Sequence, residues 1–174
     1  MTKIKESRLL ITGGASGIGR IMGRQALQRG AKEIVVWDIN EQNIASTIDE
    51  LSAYGRVKGY KVDVSSSEYV EESYAQVKRE CGDVDIVINC AGVVTSNKTF
   101  DKQSVQDIER TMKINSIAPM VVALQALPDM ISRNRGHICN IASAAGMLSN
   151  PKMSVYAASK WAVIGWSDSV RIEL

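Results

Sequence analysis

Five short apolar runs, at about residues 9–12, 34–37, 57–62, 86–88 and 137–141, restrict what this chain can fold into more than any other feature. Each is followed by a stretch with helical patterning. The runs read as apolar throughout, without the alternation of a strand that keeps one face in water, so they are expected to be buried on both faces. Strands that alternate with helices pair in parallel, because each return to the sheet is made through a covering helix. The expected fold is α/β: a doubly wound parallel sheet between two helical layers.

The helices are expected at about residues 18–29, from Asn40 as N-cap to 54, from a Ser65–Ser67 cap to 81, at 104–132 with bends at Pro119 and Pro128, and from 153 to the end. No repeat, low-complexity segment or linker divides the chain, so residues 1–174 are expected to form a single domain. A doubly wound dinucleotide fold of strand order 3-2-1-4-5-6 uses six strands. The sequence supplies five and stops at Leu174 inside a helix, which gives the expectation of a domain incomplete at its C-terminus, lacking the C-terminal strands. The fifth strand would then be an open sheet edge, and the last helix would expose apolar surface.

Charge excludes one class of partner. The 21 basic and 19 acidic residues are mixed along the chain and leave a net charge of +2, with no basic block of the kind that binds nucleic acid. Cys81, Cys90 and Cys139 are odd in number and lack metal-ligand spacing, so neither a disulfide framework nor a metal site is expected, and free thiols fit a reducing cytosol. The N-terminus has no apolar signal region, and the longest apolar run, near residues 117–127, is too short to cross a bilayer. A cytoplasmic chain without a membrane span is the expectation.

Gly13, Gly17 and Gly19 lie between the first strand and the first helix. Glycines there let the backbone turn tightly and approach a pyrophosphate, which the N–H groups of the helix's first turn then favour. A plain flexible turn is the competing reading. Asp38, nineteen residues past Gly19 at the end of the second strand, is placed to accept hydrogen bonds from ribose hydroxyls. It would repel a ribose phosphate, and neither Ser16 nor Ile39 supplies a compensating cation, which favours NAD over NADP. Asp63 ends the third strand, where it can reach an adenine amino group or cap the next helix. Asn89-Cys90-Ala91-Gly92 is either a close approach to a cofactor or a glycine turn after a strand.

Tyr156 and Lys160 are four residues apart in a segment of high helix propensity, which places phenol and ammonium on one face. A nearby cation stabilises a phenolate, making the tyrosine an acid/base candidate, and the Ser143 hydroxyl can hydrogen-bond the oxygen it acts on. An ordinary exposed helix face is the competing reading of the pair. Asn115, in an apolar part of a helix, either holds a water or kinks the helix. His137, the sole histidine, is read as structural.

Taken in order, TGGASGIG at 12–19, Asp38, Asp63-Val64, NCAG at 89–92, Asn115, Ser143 and YAASK at 156–160 resemble the short-chain dehydrogenase/reductase family over the whole chain. The segments VWDIN, GDVDIVINCAGVV and GHICNIASAAG further resemble its hydroxysteroid and retinol dehydrogenase branch. The resemblance implies a Rossmann fold and hydride transfer between NAD and an alcohol or carbonyl compound, and the resemblance to that branch implies a lipid-like one. Tyr156 would be the general acid/base, Lys160 would tune it and bind the nicotinamide ribose, Ser143 would steady the substrate oxygen and Asn115 would hold a relay water. It also implies cofactor contacts from Gly13, Ser16, Gly17, Ile18, Gly19, Asp38, Asp63, Val64, Asn89, Ala91, Gly92, Tyr156 and Lys160, and a homodimer or homotetramer packed through the last two long helices. The alternative of another class is a dinucleotide-binding or interaction module without catalysis, suggested by the missing strand.

Overall fold

The computed structural model describes residues 2–174. Its strands are β1 (Arg8–Thr12), β2 (Glu33–Asp38), β3 (Val57–Lys61), β4 (Ile86–Asn89) and β5 (His137–Asn140). They form one parallel sheet in the order β3-β2-β1-β4-β5. The helices are α1 (Gly17–Gln28), α2 (Glu41–Ser52), α3 (Ser67–Cys81), α4 (Val105–Met112), α5 (Ala118–Ser132) and α6 (Ser154–Glu173).

The sheet is covered on both sides, as its apolar strands require. Leu9, Ile11, Ile34 and Val36 point to the face closed by Ala26 and Leu27 of α1 and Ile44 and Leu51 of α2. Leu10, Val35, Trp37 and Val87 point to the other, where Val70, Tyr74 and Val77 of α3 and Val122, Ala126 and Met130 of α5 close the core. The three central strands are buried at every position except Asp38, the last residue of β2. The outer strands β3 (VKGYK) and β5 (HICN) are partly exposed, correcting the expectation of five fully buried strands, because an edge strand needs apolar cover on fewer sides.

Capping follows the side chains at the helix starts. Asn40 accepts from Asn43 N–H, Ser66 from Tyr69 N–H and Ser104 from Asp107 N–H. At the opposite end of the sheet from these turns, Arg8 and Glu33 are register partners and form a buried ion pair of 2.6 Å.

The expected long helix is interrupted. A π turn at Lys113–Ile117 joins α4 to α5 and contains Asn115. Pro119 has no N–H for the Asn115 carbonyl four residues back, so α-helical bonding cannot continue through this point and the helix widens. Together the segments run 28 residues, Val105–Ser132, long and apolar enough by length and composition to cross a membrane. A buried core helix meets the same measure, and here α5 packs its apolar face against the sheet.

No strand pairs with the outer edge of β5 among the described residues. A groove of about 1320 Å³ runs beside it, lined by Ile138, Met130, Leu127, Trp166 and Val170. Trp161 and Ile172 of α6 are also exposed.

Candidate active site

Because every strand is parallel, all five C-terminal ends meet at one edge, and the residues singled out from sequence gather there, apart from His137. Two backbone turns are locked together first. Thr12 Oγ1, at the end of β1, accepts the N–H groups of Cys90 (3.1 Å) and Ala91 (3.2 Å) after β4. Gly13 has φ +62°, and a β-carbon on it would stand 2.8 Å from Ala91 Cα, so only glycine permits this approach. Gly14 N–H donates to the Trp37 carbonyl at 3.2 Å, tying the same turn to β2.

The turn then feeds α1, where Ser16 is extended and its side chain makes no cap hydrogen bond. The first-turn N–H groups therefore have no side-chain cap, unlike those of α2, α3 and α4, and Ile18 beside them is 60% exposed. Asp38 is held at the end of β2: Oδ2 accepts from Ala15 N–H at 3.2 Å and Oδ1 from Asn40 N–H at 3.1 Å. An ionised carboxylate has about four acceptor sites, so two remain for hydroxyl donors. A glycine turn, an uncapped helix start and a half-buried carboxylate together fit the pyrophosphate and ribose of a dinucleotide.

Asp63 does not cap α3, since Ser66 does. Its Oδ1 takes both the N–H (2.9 Å) and the hydroxyl (2.7 Å) of Ser65, fixing the turn beside Val64. Asn89 is buried and its amide works within the protein, donating to the Pro119 carbonyl at 3.3 Å and to Asn140 Oδ1 at 2.8 Å. Its part in the site is thus to tie β4 to α5 and β5.

Tyr156 and Lys160 lie one turn apart on α6, with Lys160 Nζ 5.8 Å from the centre of the Tyr156 ring. Lys160 is 6% exposed, and its ammonium donates to the Ile141 carbonyl at 2.7 Å. Burial pulls its pKa below the usual lysine value, against an opposing pull from the Cys90 thiol. Burial pushes the Cys90 thiol up in turn, partly offset by the Lys160 charge.

Asn115 is 1% exposed. Its Oδ1 accepts from Val93 N–H at 2.8 Å, and its Nδ2 donates to the Val93 carbonyl at 2.9 Å and to Ser159 Oγ at 3.1 Å. A β-carbon on Gly92 would lie 3.5 Å from Asn115 Oδ1 and 3.8 Å from Lys160 Nζ. Both atoms thus lie on the side of Gly92 where a side chain would stand. Of the two sequence readings of Asn115, the structure shows the one in which the helix is distorted at this residue.

Ser143 starts the 3-10 turn Ala144–Gly146, its Oγ accepting from Ala145 N–H at 3.2 Å, with its own proton available. That turn packs on α6: a β-carbon on Gly146 would stand 2.9 Å from the Lys160 carbonyl. His137 begins β5 at the far end of the sheet, opposite Ile86, outside this site.

Three contributors were given no role from sequence, although Thr12 and Ser159 lie within the quoted TGGASGIG and YAASK. Thr12 carried a signal, a hydroxyl at the end of the strand that enters the glycine turn. The Ile141 carbonyl and Ser159 carried none, because a backbone acceptor and a small helical residue look the same wherever they stand.

Comparison with known proteins adds three findings. The profile of the family described as short chain dehydrogenase matches residues 7–174. The chain is 38% identical over 167 residues to human estradiol 17-beta-dehydrogenase 11, covering 95% of this chain and 55% of that protein. It therefore spans about half the length of the curated relatives it matches. Among solved structures, it superposes on a short chain dehydrogenase/reductase from Burkholderia phymatum in complex with NAD, with TM-score 0.94 and 31% identity over 100% of this chain and 62% of that one. A metagenomic short-chain oxidoreductase in complex with NADP gives TM-score 0.93 and 27% identity over 98% and 77% of the respective chains.

Proposed function

The chain belongs to the short-chain dehydrogenase family, and from that premise we propose that it works as an oxidoreductase moving a hydride between NAD(H) and an alcohol or carbonyl compound. The observation that carries the reading is the convergence of Lys160 Nζ and Asn115 Oδ1 on the space beside Gly92, one helical turn from the Tyr156 phenol.

The nicotinamide, when bound, supplies the hydride acceptor or donor. Tyr156 takes the proton from the substrate hydroxyl, or returns it to the carbonyl, within hydrogen-bond reach of the reacting oxygen. The Lys160 ammonium places positive charge beside the phenol as it ionises, and its single protein hydrogen bond leaves two N–H donors for the nicotinamide ribose. Ser143 donates its hydroxyl proton to the substrate oxygen. A water bridging Asn115 Oδ1 and Lys160 Nζ beside Gly92 would give the proton a route away from the tyrosine.

NAD is the preferred cofactor in this reading. Asp38 supports it, because its fixed carboxylate accepts ribose hydroxyls and repels a phosphate at the same place. Gly13, Ser16, Gly17, Ile18 and Gly19 flank the pyrophosphate, and Asp63 and Val64 the adenine. The substrate is an alcohol on an apolar skeleton: Met147 and Leu148, 63% and 66% exposed, follow directly on the Ser143 turn, and the estradiol dehydrogenase relative is named for such an alcohol. A homodimer or homotetramer packs through α5 and α6, where Ile117, Leu124 and Ile131 recur every seventh residue on an exposed face and Trp161 is 54% exposed. The three free thiols support a reducing, cytoplasmic setting.

The test is NAD reduction measured with a panel of secondary alcohols of rising apolar size. Turnover by the parent, with Tyr156→Phe at least about a thousandfold slower, is the expected result. Binding of NAD without turnover on any alcohol in the panel would leave a dinucleotide-binding module instead.

A further inference from the structure

We propose that Ser159 is a positioning residue for the Tyr156/Lys160 pair, acting through a buried clasp to Asn115 and Ser116 of the π turn. Ser159 is 0% exposed and is held at both of its polar groups. Its Oγ donates to the Tyr156 carbonyl at 2.7 Å and accepts from Asn115 Nδ2 at 3.1 Å. Its own carbonyl accepts from Ser116 Oγ at 3.1 Å. Asn115 and Ser116 are themselves 1% and 2% exposed. Two neighbouring residues of one helix thus grip a single residue of another.

A serine that only bonds back to its own helix brings little stability and often bends the helix. Here the back-bond has a consequence through polarity. Because the single Ser159 proton goes to the Tyr156 carbonyl, Oγ can only accept from Asn115. The Asn115 amide must therefore turn its NH₂ toward Ser159 and the Val93 carbonyl, and its Oδ1 toward Val93 N–H and the space beside Gly92. A flipped amide would set NH₂ against an N–H donor and carbonyl against carbonyl. Val93 and Ser159 together select the orientation in which Oδ1 lies on the Gly92 side. The grip from Ser116 adds rotation: each helical residue is about 100° from the next, so fixing residue 159 fixes the directions of Lys160 after it and Tyr156 one turn before.

The catalytic part of this inference rests on the dehydrogenase reading, so its test has one arm that does not. Ser159→Ala removes a single oxygen and keeps helix propensity, so the variant is expected to fold. In the first arm, hydrogen exchange of the Asn115 side-chain amide is followed by NMR in the parent and in Ser159→Ala. Faster exchange at one Nδ2 proton is expected, with a melting temperature lowered by only a few degrees; equal exchange in the two proteins overturns the clasp. In the second arm, kcat, KM for NAD and the pH dependence of kcat are compared. The expectation is a fall of about tenfold to a hundredfold in kcat with a displaced pH profile and KM for NAD within about twofold, partly restored in Ser159→Thr. A parent without turnover refutes the dehydrogenase reading and leaves the clasp to be decided by the first arm. A parent that turns over beside a Ser159→Ala variant with the same kcat and pH profile refutes the positioning role itself.

Discussion

Asn115 Oδ1 and Lys160 Nζ are the two atoms nearest to where a β-carbon on Gly92 would be, at 3.5 Å and 3.8 Å. Both distances are ordinary van der Waals contacts, and Gly92 is not among the residues with positive φ, so the fold tolerates a methyl group there. The space does not. Gly92→Ala is expected to keep its melting temperature within a few degrees of the parent while kcat falls by about tenfold or more. Thermal unfolding beside steady-state kinetics checks it; parental kcat would show that nothing essential passes through that space.

Lys160 is a buried cation with one protein hydrogen-bond partner, the Ile141 carbonyl. Burial lowers its pKa relative to the unfolded chain, so below the folded-state value its charge costs stability, and the cost fades as pH rises through the folded value toward the unfolded one. Lys160→Met keeps the length of the side chain and removes the charge. The variant is expected to melt no lower than the parent at pH 7 and to lose turnover, with the stability difference shrinking as pH rises toward about 10. A melting temperature well below the parent's would mean that the ammonium supports the fold.

Asp38 accepts two backbone N–H groups, from Ala15 and Asn40, so its removal loosens a turn as well as altering charge. Asp38→Ser retains an acceptor and removes the negative charge. Calorimetric titration is expected to show the ratio of NADP to NAD affinity rising by about tenfold or more, with NAD binding itself somewhat weaker. An unchanged ratio would place cofactor discrimination elsewhere.

Asp85, buried at the opposite end of the sheet, offers a pH signature separate from the site. Burial alone would raise its pKa, but hydrogen bonds from Arg133 (2.8 Å) and Arg8 N–H (3.0 Å) and the Arg135 charge outweigh it and hold the carboxyl below the usual range. A depressed carboxyl contributes stability in full above its unfolded value of about 4, and that stability is lost as pH falls through the folded value. Arg133→Met is expected to cost about 2 kcal/mol at pH 7 and to flatten the acid limb of a stability curve followed by urea unfolding from pH 7 to pH 3. An acid limb as steep as the parent's would assign it to other carboxylates.

Much of this was legible along the chain. Apolar runs alternating with helical stretches specify a parallel sheet, since a strand without polar alternation cannot face water; Asn40 and the Ser65–Ser67 cluster mark helix starts because their side chains accept orphan N–H groups. The glycine turn, Asp38, Ser143, Tyr156 and Lys160 are readable because spacing on strand ends and on one helix turn is local geometry. Local rules could not settle Asn115, whose helix widens because Pro119 withholds an N–H and whose amide direction depends on Val93 and Ser159, twenty-two and forty-four residues away. Nor could they distinguish Asp63 from Ser66 as the cap of α3, or show that the Asn89 amide is engaged by Asn140. The sequence by itself determined the elements, their parallel pairing and the types of group at the strand ends. Only the tertiary structure decided which of those groups face each other, because hydrogen-bond partners and burial are set by residues distant in the chain.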